Sequence, residues 1–283
     1  MPTPFKKDGS LDLPALQSLI TWLEPNVDGF LVLGSNGEVA YLEEAERLQV
    51  LAAAREAIPK NKIMIAGAGG EGTAQVIERC RDASEVGADA ALVIAPFYNR
   101  LSPNVLETHF MTVANSSPIP VYIYNIPQVT GFAHAPSWFS RMGMHPNVAG
   151  VKDSSGDIFN FGEIARVTPT GFNLLTGNAP TLLPALTVGA HGAILAAGNV
   201  VPKVFNGIMA AFKAGNTTLA LELQRAVTPL ALAVTRDYGV PGLKAMLRLQ
   251  GVSAGYPRAP LLDVDTETNI ELEKILQGIA GLV

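Results

Sequence analysis

The chain has 283 residues, of which 48% are hydrophobic and 16% charged, with a net charge of −5 and one cysteine, Cys80. This composition can bury a sizeable core in one large domain or two ordinary ones, and one cysteine excludes an internal disulfide or a cysteine-based metal cluster. No run of Lys or Arg, no secretory signal and no apolar run of membrane-spanning length occurs. The sequence therefore predicts a cytoplasmic protein without a nucleic-acid or membrane partner.

Short apolar segments alternate with longer amphipathic ones over the first 200 residues. The apolar segments predict strands at residues 29–33, 62–66, 90–95, 119–124, 148–152, 173–176 and 193–197. The amphipathic segments predict helices at residues 43–57, 73–86, 103–115, 135–143, 157–167 and 179–188. Uniformly apolar strands separated by helices are typical of a parallel sheet covered on both faces. With an eighth strand at residues 2–5, the pattern predicts an α/β chain of the (β/α)8 TIM-barrel class.

The strand pattern stops near residue 203, and helices are predicted at residues 203–228, 230–250 and 267–281. We therefore expect a barrel over residues 1–202, with its active site at the C-terminal ends of the strands. Residues 203–283 would form an additional helical layer packed on that barrel. Because only four residues precede Phe5, either the first strand is very short or the native chain begins before Met1.

Lys152 lies at the point where the Val-rich strand of residues 148–151 ends. A lysine held away from water there would have a lowered pKa, and its neutral amine would be a nucleophile toward carbonyl carbons. The alternative is a surface lysine whose aliphatic stem covers apolar neighbours, and this stretch alone favours that alternative.

Polar groups or glycines occur at all of the predicted strand ends, including that of Lys152. These strand ends are the segments 34–38, 67–70, 96–99, 124–127, 152–154, 177–178 and 198–199. In a barrel these ends face one mouth, where a lysine attacks a ketone, a tyrosine hydroxyl moves protons and glycine-turn N–H groups hold a carboxylate. Because no basic residue stands beside the last two turns, we expect an unphosphorylated substrate.

Two other patterns point to less favoured functions. Gly67, Gly69 and Gly72 satisfy GxGxxG after a predicted strand, as a dinucleotide site of an oxidoreductase requires, but no acidic residue follows the next strand to bind a ribose. The four histidines are scattered without an i, i+4 pair, so no metal site is predicted.

Four segments carry a specific resemblance: GSNGE at 34–38, YNIP at 124–127, GVKDSSGD at 150–157 and AHGAILAAGNV at 190–200. In this order and spacing, the sequence resembles the dihydrodipicolinate synthase/N-acetylneuraminate lyase family of pyruvate-dependent class I aldolases from residue 3 to about 262. The first segment, together with residues 233–244 and 258–260, most resembles the 4-hydroxy-2-oxoglutarate aldolases. That resemblance implies cleavage to pyruvate and glyoxylate without a cofactor, in a homotetramer made of two dimers.

The resemblance also implies roles for individual residues. Lys152 would form the Schiff base with the keto acid, and Tyr124 would shuttle protons. Ser35 would relay protons, and Tyr98 would be lent across a dimer interface to the neighbouring subunit. The residues implied to contact substrate are Asn36, Ser154, Gly177, Ile194 and Val129. Taken alone, the two tyrosines would be read as half-buried aromatics, Ser35 as a turn residue and Glu38 as a brace for the following helix.

Val129 occupies the position where dihydrodipicolinate synthases carry an arginine that binds a substrate carboxylate. A valine cannot form a bidentate pair with a carboxylate, which disfavours the synthase reaction. Dihydrodipicolinate synthase and the related 2-keto-3-deoxy sugar acid aldolases, which also lack the arginine, remain the alternatives within the same family. A non-catalytic keto-acid-binding protein is the alternative from a different class.

Overall fold

The computed structural model describes residues 1–282. Its strands form one seven-stranded sheet in which each strand pairs with its neighbours in the chain. The strands are β1 (Gly29–Val32), β2 (Ile63–Gly67), β3 (Ala90–Ile94), β4 (Val121–Asn125), β5 (Val148–Asp153), β6 (Asn173–Thr176) and β7 (Gly192–Ala193). The recorded registers from β2 to β7 are all parallel. Consecutive parallel strands joined by helices are the arrangement that the sequence pattern predicts.

Helices precede the first strand, connect the strands and continue after the last one. They are α1 (Leu13–Leu23), α2 (Glu44–Ala57), α3 (Thr73–Val86), α4 (Pro103–Ser116), α5 (Pro127–Thr130), α6 (Pro136–Gly143), α7 (Ile158–Val167), α8 (Leu182–Thr187), α9 (Pro202–Lys213), α10 (Thr217–Leu232), α11 (Gly239–Leu249) and α12 (Thr266–Gln277). Over residues 1–282, no helix combines the length and hydropathy that crossing a bilayer requires.

The chain divides into two compact units. One comprises Met1–Met64 together with the chain from Leu195 onward, and the other comprises Ile65–Ile194. The second unit contains β3 to β7 and a continuous apolar core between these strands and helices α3, α4, α6 and α7. The division predicted near residue 202, between a barrel and a helical layer, stays a prediction.

Strands β4 and β5 present different residues on their two faces, because successive side chains alternate. Ile123 and Val151 belong to the apolar core. Tyr124 and Lys152 follow these two residues directly and therefore point to the opposite face, where they pair with each other in register. This alternation sends the predicted catalytic residues away from the core.

Some predicted elements differ from the observed ones. Residues 2–5 add no strand to the sheet within the described chain, since Phe5 forms isolated antiparallel bridges with Leu11 and Tyr256. The cause is a tight turn directly after it, in which Gly9 has a φ of 84° and its N–H donates to Lys6 O. The seventh strand is also shorter than predicted, because the chain turns into a 3-10 helix at Ala197–Asn199.

The helical segments also differ in detail. Helix α1 was not predicted, although its sequence carries a helix start: the Asp12 side chain accepts the N–H of Ala15, and a proline occupies the first turn. The single helix predicted over residues 203–228 is two helices, because Gly215 adopts a φ of 73° and Asn216 caps the second one. The helix predicted over 230–250 is interrupted by a π-helical turn at Ala233–Asp237.

Candidate active site

Lys152 lies on β5 directly beside Tyr124 on β4. The two residues are in-register partners, and Lys152 Nζ lies 4.5 Å from the centroid of the Tyr124 ring. Lys152 is only 7% exposed and Tyr124 8%. The structure thus contradicts a surface lysine and agrees with a lysine held away from water.

Burial lowers the pKa of Lys152 below its ordinary value of 10.5, and the interaction with Tyr124 opposes this shift without cancelling it. A lowered pKa increases the fraction of neutral amine near neutral pH. The neutral amine is the form that attacks a carbonyl carbon, so the burial of Lys152 favours covalent catalysis through an imine.

Gly177, which follows β6, packs against the side chain of Lys152. A Cβ atom at this position would lie 2.8 Å from Lys152 Cε and would also clash with Ser154 Oγ. The Gly177 N–H donates to Asp153 O at 2.6 Å. Three residues singled out from the sequence, Lys152, Ser154 and Gly177, are therefore brought together, and only glycine leaves the lysine side chain its space.

The remaining substrate-side residues in this unit surround the same strand ends. Ser154 is half-buried, and its N–H donates to Asn125 O at 2.8 Å. The N–H of Ile194, just after β7, donates to Thr176 O at 2.9 Å. Val129 lies on the short helix α5 after β4 and is 51% exposed. An exposed valine at this position offers an apolar surface without charge.

Ser35 and Asn36 belong to the other unit, in a 3-10 turn that follows β1. Ser35 is exposed and Asn36 half-buried. Two non-glycine residues flank this turn in the left-handed region, Leu33 with a φ of 58° and Glu38 with a φ of 55°. Such backbone conformations cost energy and persist only where the surroundings impose them, which marks this turn as a functional candidate.

Glu38 is the residue that fixes this turn. Its carboxylate forms a buried ion pair with Lys244 on α11, and its Oε2 accepts the backbone N–H of Arg258 at 2.7 Å. Lys244 is fully buried, and its Nζ also donates at 2.7 Å to Thr3 O and to Tyr256 O. The brace that the sequence predicts for a following helix is therefore an anchor to the C-terminal segments.

Tyr98 stands apart from the lysine within this chain. It follows β3, its side chain is 84% exposed, and its backbone N–H donates to Glu71 Oε2 at 3.1 Å. A ring left this open is what a residue lent to a neighbouring subunit requires. That role stays a prediction.

Sequence reasoning missed Asn125 and Asp153 beside the catalytic strand ends, and Lys244 and Arg258 as the partners of Glu38. All four lie in segments that the sequence analysis singled out. A signal was available for Lys244, which is a charged residue in the largely apolar segment 239–249 and needs a partner when buried.

An α/β chain of consecutive parallel strands, with a buried lysine beside a tyrosine, has the characteristics of class I pyruvate aldolases. The chain matches the model of the dihydrodipicolinate synthetase family over residues 1–279, and it belongs to that family. The family-level resemblance is thereby confirmed.

Individual relatives agree with this assignment. The chain is 33% identical to the 4-hydroxy-tetrahydrodipicolinate synthase of Archaeoglobus fulgidus, over 99% of this chain and 96% of the relative. It is 36% identical to 4-hydroxy-tetrahydrodipicolinate synthase 1 of Streptomyces coelicolor, over 96% of this chain and 90% of the relative. A crystal structure of dihydrodipicolinate synthase from Bacillus anthracis is similar with a TM-score of 0.95 at 29% identity, covering 98% of this chain and 95% of that one. These matches confirm the TIM-barrel fold with additional C-terminal helices.

Proposed function

We propose that the protein is a class I lyase that cleaves a 4-hydroxy-2-oxo acid, with 4-hydroxy-2-oxoglutarate as its substrate, to pyruvate and an aldehyde such as glyoxylate. The observation that carries this proposal is the buried amine of Lys152, whose pKa is lowered by burial and which lies 4.5 Å from the ring centroid of Tyr124. A desolvated lysine beside a proton-transfer group is what imine chemistry requires.

The reaction follows from these groups. The neutral amine of Lys152 attacks the C2 ketone, Tyr124 donates its phenolic proton to the departing hydroxyl, and loss of water leaves a protonated imine. The Tyr124 phenolate then accepts the proton of the C4 hydroxyl while the C3–C4 bond breaks, and the electron pair of that bond moves into the imine to form an enamine. The aldehyde leaves, the Tyr124 phenol protonates the enamine at C3, and hydrolysis of the imine by water frees pyruvate, restores neutral Lys152 and returns a proton to Tyr124. No cofactor enters these steps.

The other residues keep the roles that the family resemblance implies. Ser35 and the exposed Tyr98 would complete the proton relay, and the backbone of the turn containing Asn36 would hold the pyruvyl carboxylate. Gly177 and Ile194 would line the pyruvyl group through their backbones. Family likeness also supports a homotetramer of two dimers, in which Tyr98 has a subunit to serve.

The identity of the aldehyde depends on Val129 and its neighbours. Val129 is 51% exposed and uncharged, so a distal carboxylate must be bound by Ser154, by Asn36, by backbone groups or by water. Because glyoxylate itself carries a carboxylate, the absence of charge at position 129 does not select it. Its choice rests on the resemblance of residues 34–38, 233–244 and 258–260 to the 4-hydroxy-2-oxoglutarate aldolases, and the aldehyde of a related sugar acid is the alternative.

A second candidate is 4-hydroxy-tetrahydrodipicolinate synthesis, in which the same lysine–pyruvate imine condenses with aspartate semialdehyde. The names of the relatives, at 33–36% identity over nearly the whole chain, favour it. The valine at 129 disfavours it, because the synthases place a carboxylate-binding arginine at this position.

Borohydride trapping tests the shared imine step. The protein is incubated with pyruvate, reduced with sodium borohydride and digested, and the adduct is located by peptide mass spectrometry. We expect a pyruvate-dependent adduct on Lys152 and none in Lys152→Arg, whose guanidinium is not a nucleophile at neutral pH. A folded wild-type sample without an adduct would remove the aldolase proposal.

A panel of substrates then separates the candidates. We expect kcat/KM for 4-hydroxy-2-oxoglutarate cleavage to exceed that for condensation of pyruvate with aspartate semialdehyde by about 5-fold, because Val129 withholds from the latter a solvated ion pair of about 1 kcal/mol. Faster use of aspartate semialdehyde would establish the second candidate instead. An adduct without turnover of any partner would indicate a keto-acid-binding protein.

A further inference from the structure

A second in-register pair lies one residue beyond Tyr124 and Lys152. Asn125 on β4 pairs with Asp153 on β5, and the two residues are 3% and 1% exposed. Because side chains alternate along a strand, this pair points to the face opposite to the catalytic pair, on the same side as the core residue Val151. The Asn125 Nδ2 donates a short hydrogen bond to Asp153 Oδ2.

The second carboxylate oxygen of Asp153 is also occupied. Its Oδ1 accepts the backbone N–H of Ser155 at 3.0 Å and the Ser155 hydroxyl. All of these donors are neutral, and Asp157 is the charged neighbour that acts on the carboxylate, with an unfavourable sign. Burial raises the pKa of Asp153, so an acid is retained here at an electrostatic cost.

Further bonds join the loops that follow the two strands. Gln128 on α5 donates from Nε2 to Ser155 O at 2.7 Å and to Ser154 O at 3.2 Å. The Ser154 N–H donates to Asn125 O at 2.8 Å. The residues directly after Tyr124 and those directly after Lys152 are therefore bound to each other by side chains as well as by the sheet.

The opposite end of the β4–β5 pairing is irregular and does not fix the register of Lys152 and Tyr124. The register shifts between Val121 and Tyr122, where Val121 pairs with Val148 and Tyr122 with Gly150. A register that is irregular at one end must be fixed elsewhere, because a slip moves every later side chain. The Asn125–Asp153 pair is the last pair of this ladder and lies next to the residues whose separation matters.

We infer that Asp153, held by Asn125 and Ser155, is a positioning residue that fixes the separation and orientation of Lys152 and Tyr124 for the reaction. This inference rests on the proposed function. The interactions that shift the pKa of Lys152 come from burial and from Tyr124, so Asp153 acts on geometry and not on the charge of the lysine. Small misplacements of reacting groups lower rates strongly.

The test uses a swap of the two partners. In Asp153→Leu, Asn125 and Ser155 both lose their acceptor, whichever way the Asn125 amide is turned. The double variant Asn125→Asp/Asp153→Asn keeps one donor opposite one acceptor and leaves a carbonyl oxygen for Ser155. Asp265→Asn, which removes one carboxylate charge at an exposed helix-capping residue, is the control.

The measurements are kcat and KM for 4-hydroxy-2-oxo acid cleavage, the pH profile of imine trapping, and the unfolding midpoint of each variant. We expect Asp153→Leu to lower kcat by about 10- to 100-fold, as misorientation does, while the midpoint of the pH profile stays at the wild-type value. We expect the swap to keep most of the wild-type kcat and Asp265→Asn to retain all of it.

Three outcomes would overturn the inference. They are an unchanged kcat in a folded Asp153→Leu, a swap no better than Asp153→Leu, and a shifted pH profile, which would indicate a charge effect. Should Asp153→Leu fail to fold, the swap and Gln128→Ala decide, with wild-type-like and several-fold lower kcat expected respectively. The proposed function is tested separately, because it fails if borohydride trapping of the wild-type protein yields no pyruvate adduct.

Discussion

Two buried carboxylates hold the two segments that the family resemblance assigns to substrate, and they do so differently. Asp153, in the unit of residues 65–194, accepts only neutral donors, which come from the adjacent strand and from its own loop. Glu38, in the other unit, pairs with the ammonium of Lys244 and accepts the N–H of Arg258. A neutral network is local and directional, whereas an ion pair ties its segment to distant parts of the chain. A network of neutral hydrogen bonds therefore suits the positioning of individual side chains, and an ion pair suits the anchoring of a whole segment.

The largest effect should come from removing the cation of the Glu38 pair. Lys244→Met leaves a buried carboxylate without its partner, and we expect the free energy of unfolding to fall by about 3–5 kcal/mol. Denaturant unfolding with an unchanged m-value measures this. Glu38→Gln/Lys244→Met removes both charges and should recover much of the loss. A loss in Lys244→Met as small as that of a surface pair, about 1 kcal/mol or less, would contradict the anchoring role.

A buried histidine, His134, adds a dependence of stability on pH. His134 is 7% exposed, stacks on Trp138 with 3.8 Å between ring centroids, and its Nε2 has no hydrogen-bond partner within residues 1–282. Burial lowers its pKa from 6.5 to about 4, and the carboxylate of Glu107 opposes this shift. Between these two values the unfolded chain binds the proton and the folded chain does not, so stability falls as the pH is lowered.

We expect this histidine to contribute a loss of up to about 3 kcal/mol between pH 6.5 and pH 4, at 1.36 kcal/mol for each unit of pKa difference. Urea unfolding at a series of pH values measures the slope. His134→Phe keeps a ring on Trp138 without a titrating group and should flatten the slope over that interval. An identical slope in the variant would show that His134 is not its source.

A smaller effect is expected when the space beside Lys152 is filled, next to the Asp153 network of neutral donors. Gly177→Ala places a methyl group in a clash with Ser154 Oγ and 2.8 Å from Lys152 Cε, and we expect imine formation to slow by about 10-fold, corresponding to about 1.4 kcal/mol, as Ser154 and the lysine are displaced. Quantified borohydride trapping over time measures the rate. Gly162→Ala on α7, where the nearest atom lies at an ordinary 3.5 Å, is the control and should retain the wild-type rate.

The smallest effect is expected at an exposed position. Val129→Arg introduces a guanidinium where the synthases carry one, on a site that is 51% exposed in the valine form. We expect kcat/KM for aspartate semialdehyde to rise by a few-fold only, because a solvated ion pair contributes about 1 kcal/mol or less. An unchanged kcat/KM would show that position 129 does not face the aldehyde.

The strands were predictable because each buried strand is uniformly apolar and the helices between them are amphipathic. The break after Lys213 was not predicted, since it depends on the left-handed backbone of one residue, Gly215, and the π-helical turn after Leu232 was not predicted because the hydrophobic pattern continues through it. Residues 2–5 look apolar enough for a strand, but the turn at Gly9 redirects the chain. Local patterns thus predict the strands and helices but miss the points where a single residue changes the direction of the chain.

The placement of the two proposed catalytic residues was predictable in the same measure. Lys152 and Tyr124 follow from a strand end and a family motif, and the structure places them side by side. The Asn125–Asp153 bond requires the register of two strands, and the Glu38–Lys244 pair joins residues far apart in the chain. Neither pairing has a periodic signature, because both depend on tertiary structure.

The left-handed backbone at Leu33 and Glu38 has a consequence for how this part of the molecule opens. Both residues are buried, and both ends of the turn between them are pinned, one by the core and one by the ion pair. Neither end can relax to an ordinary conformation while the other stays in place. The amides of residues 34–38 should therefore exchange with deuterium as one cooperative unit, with a common rate set by the release of Glu38 rather than by solvent exposure.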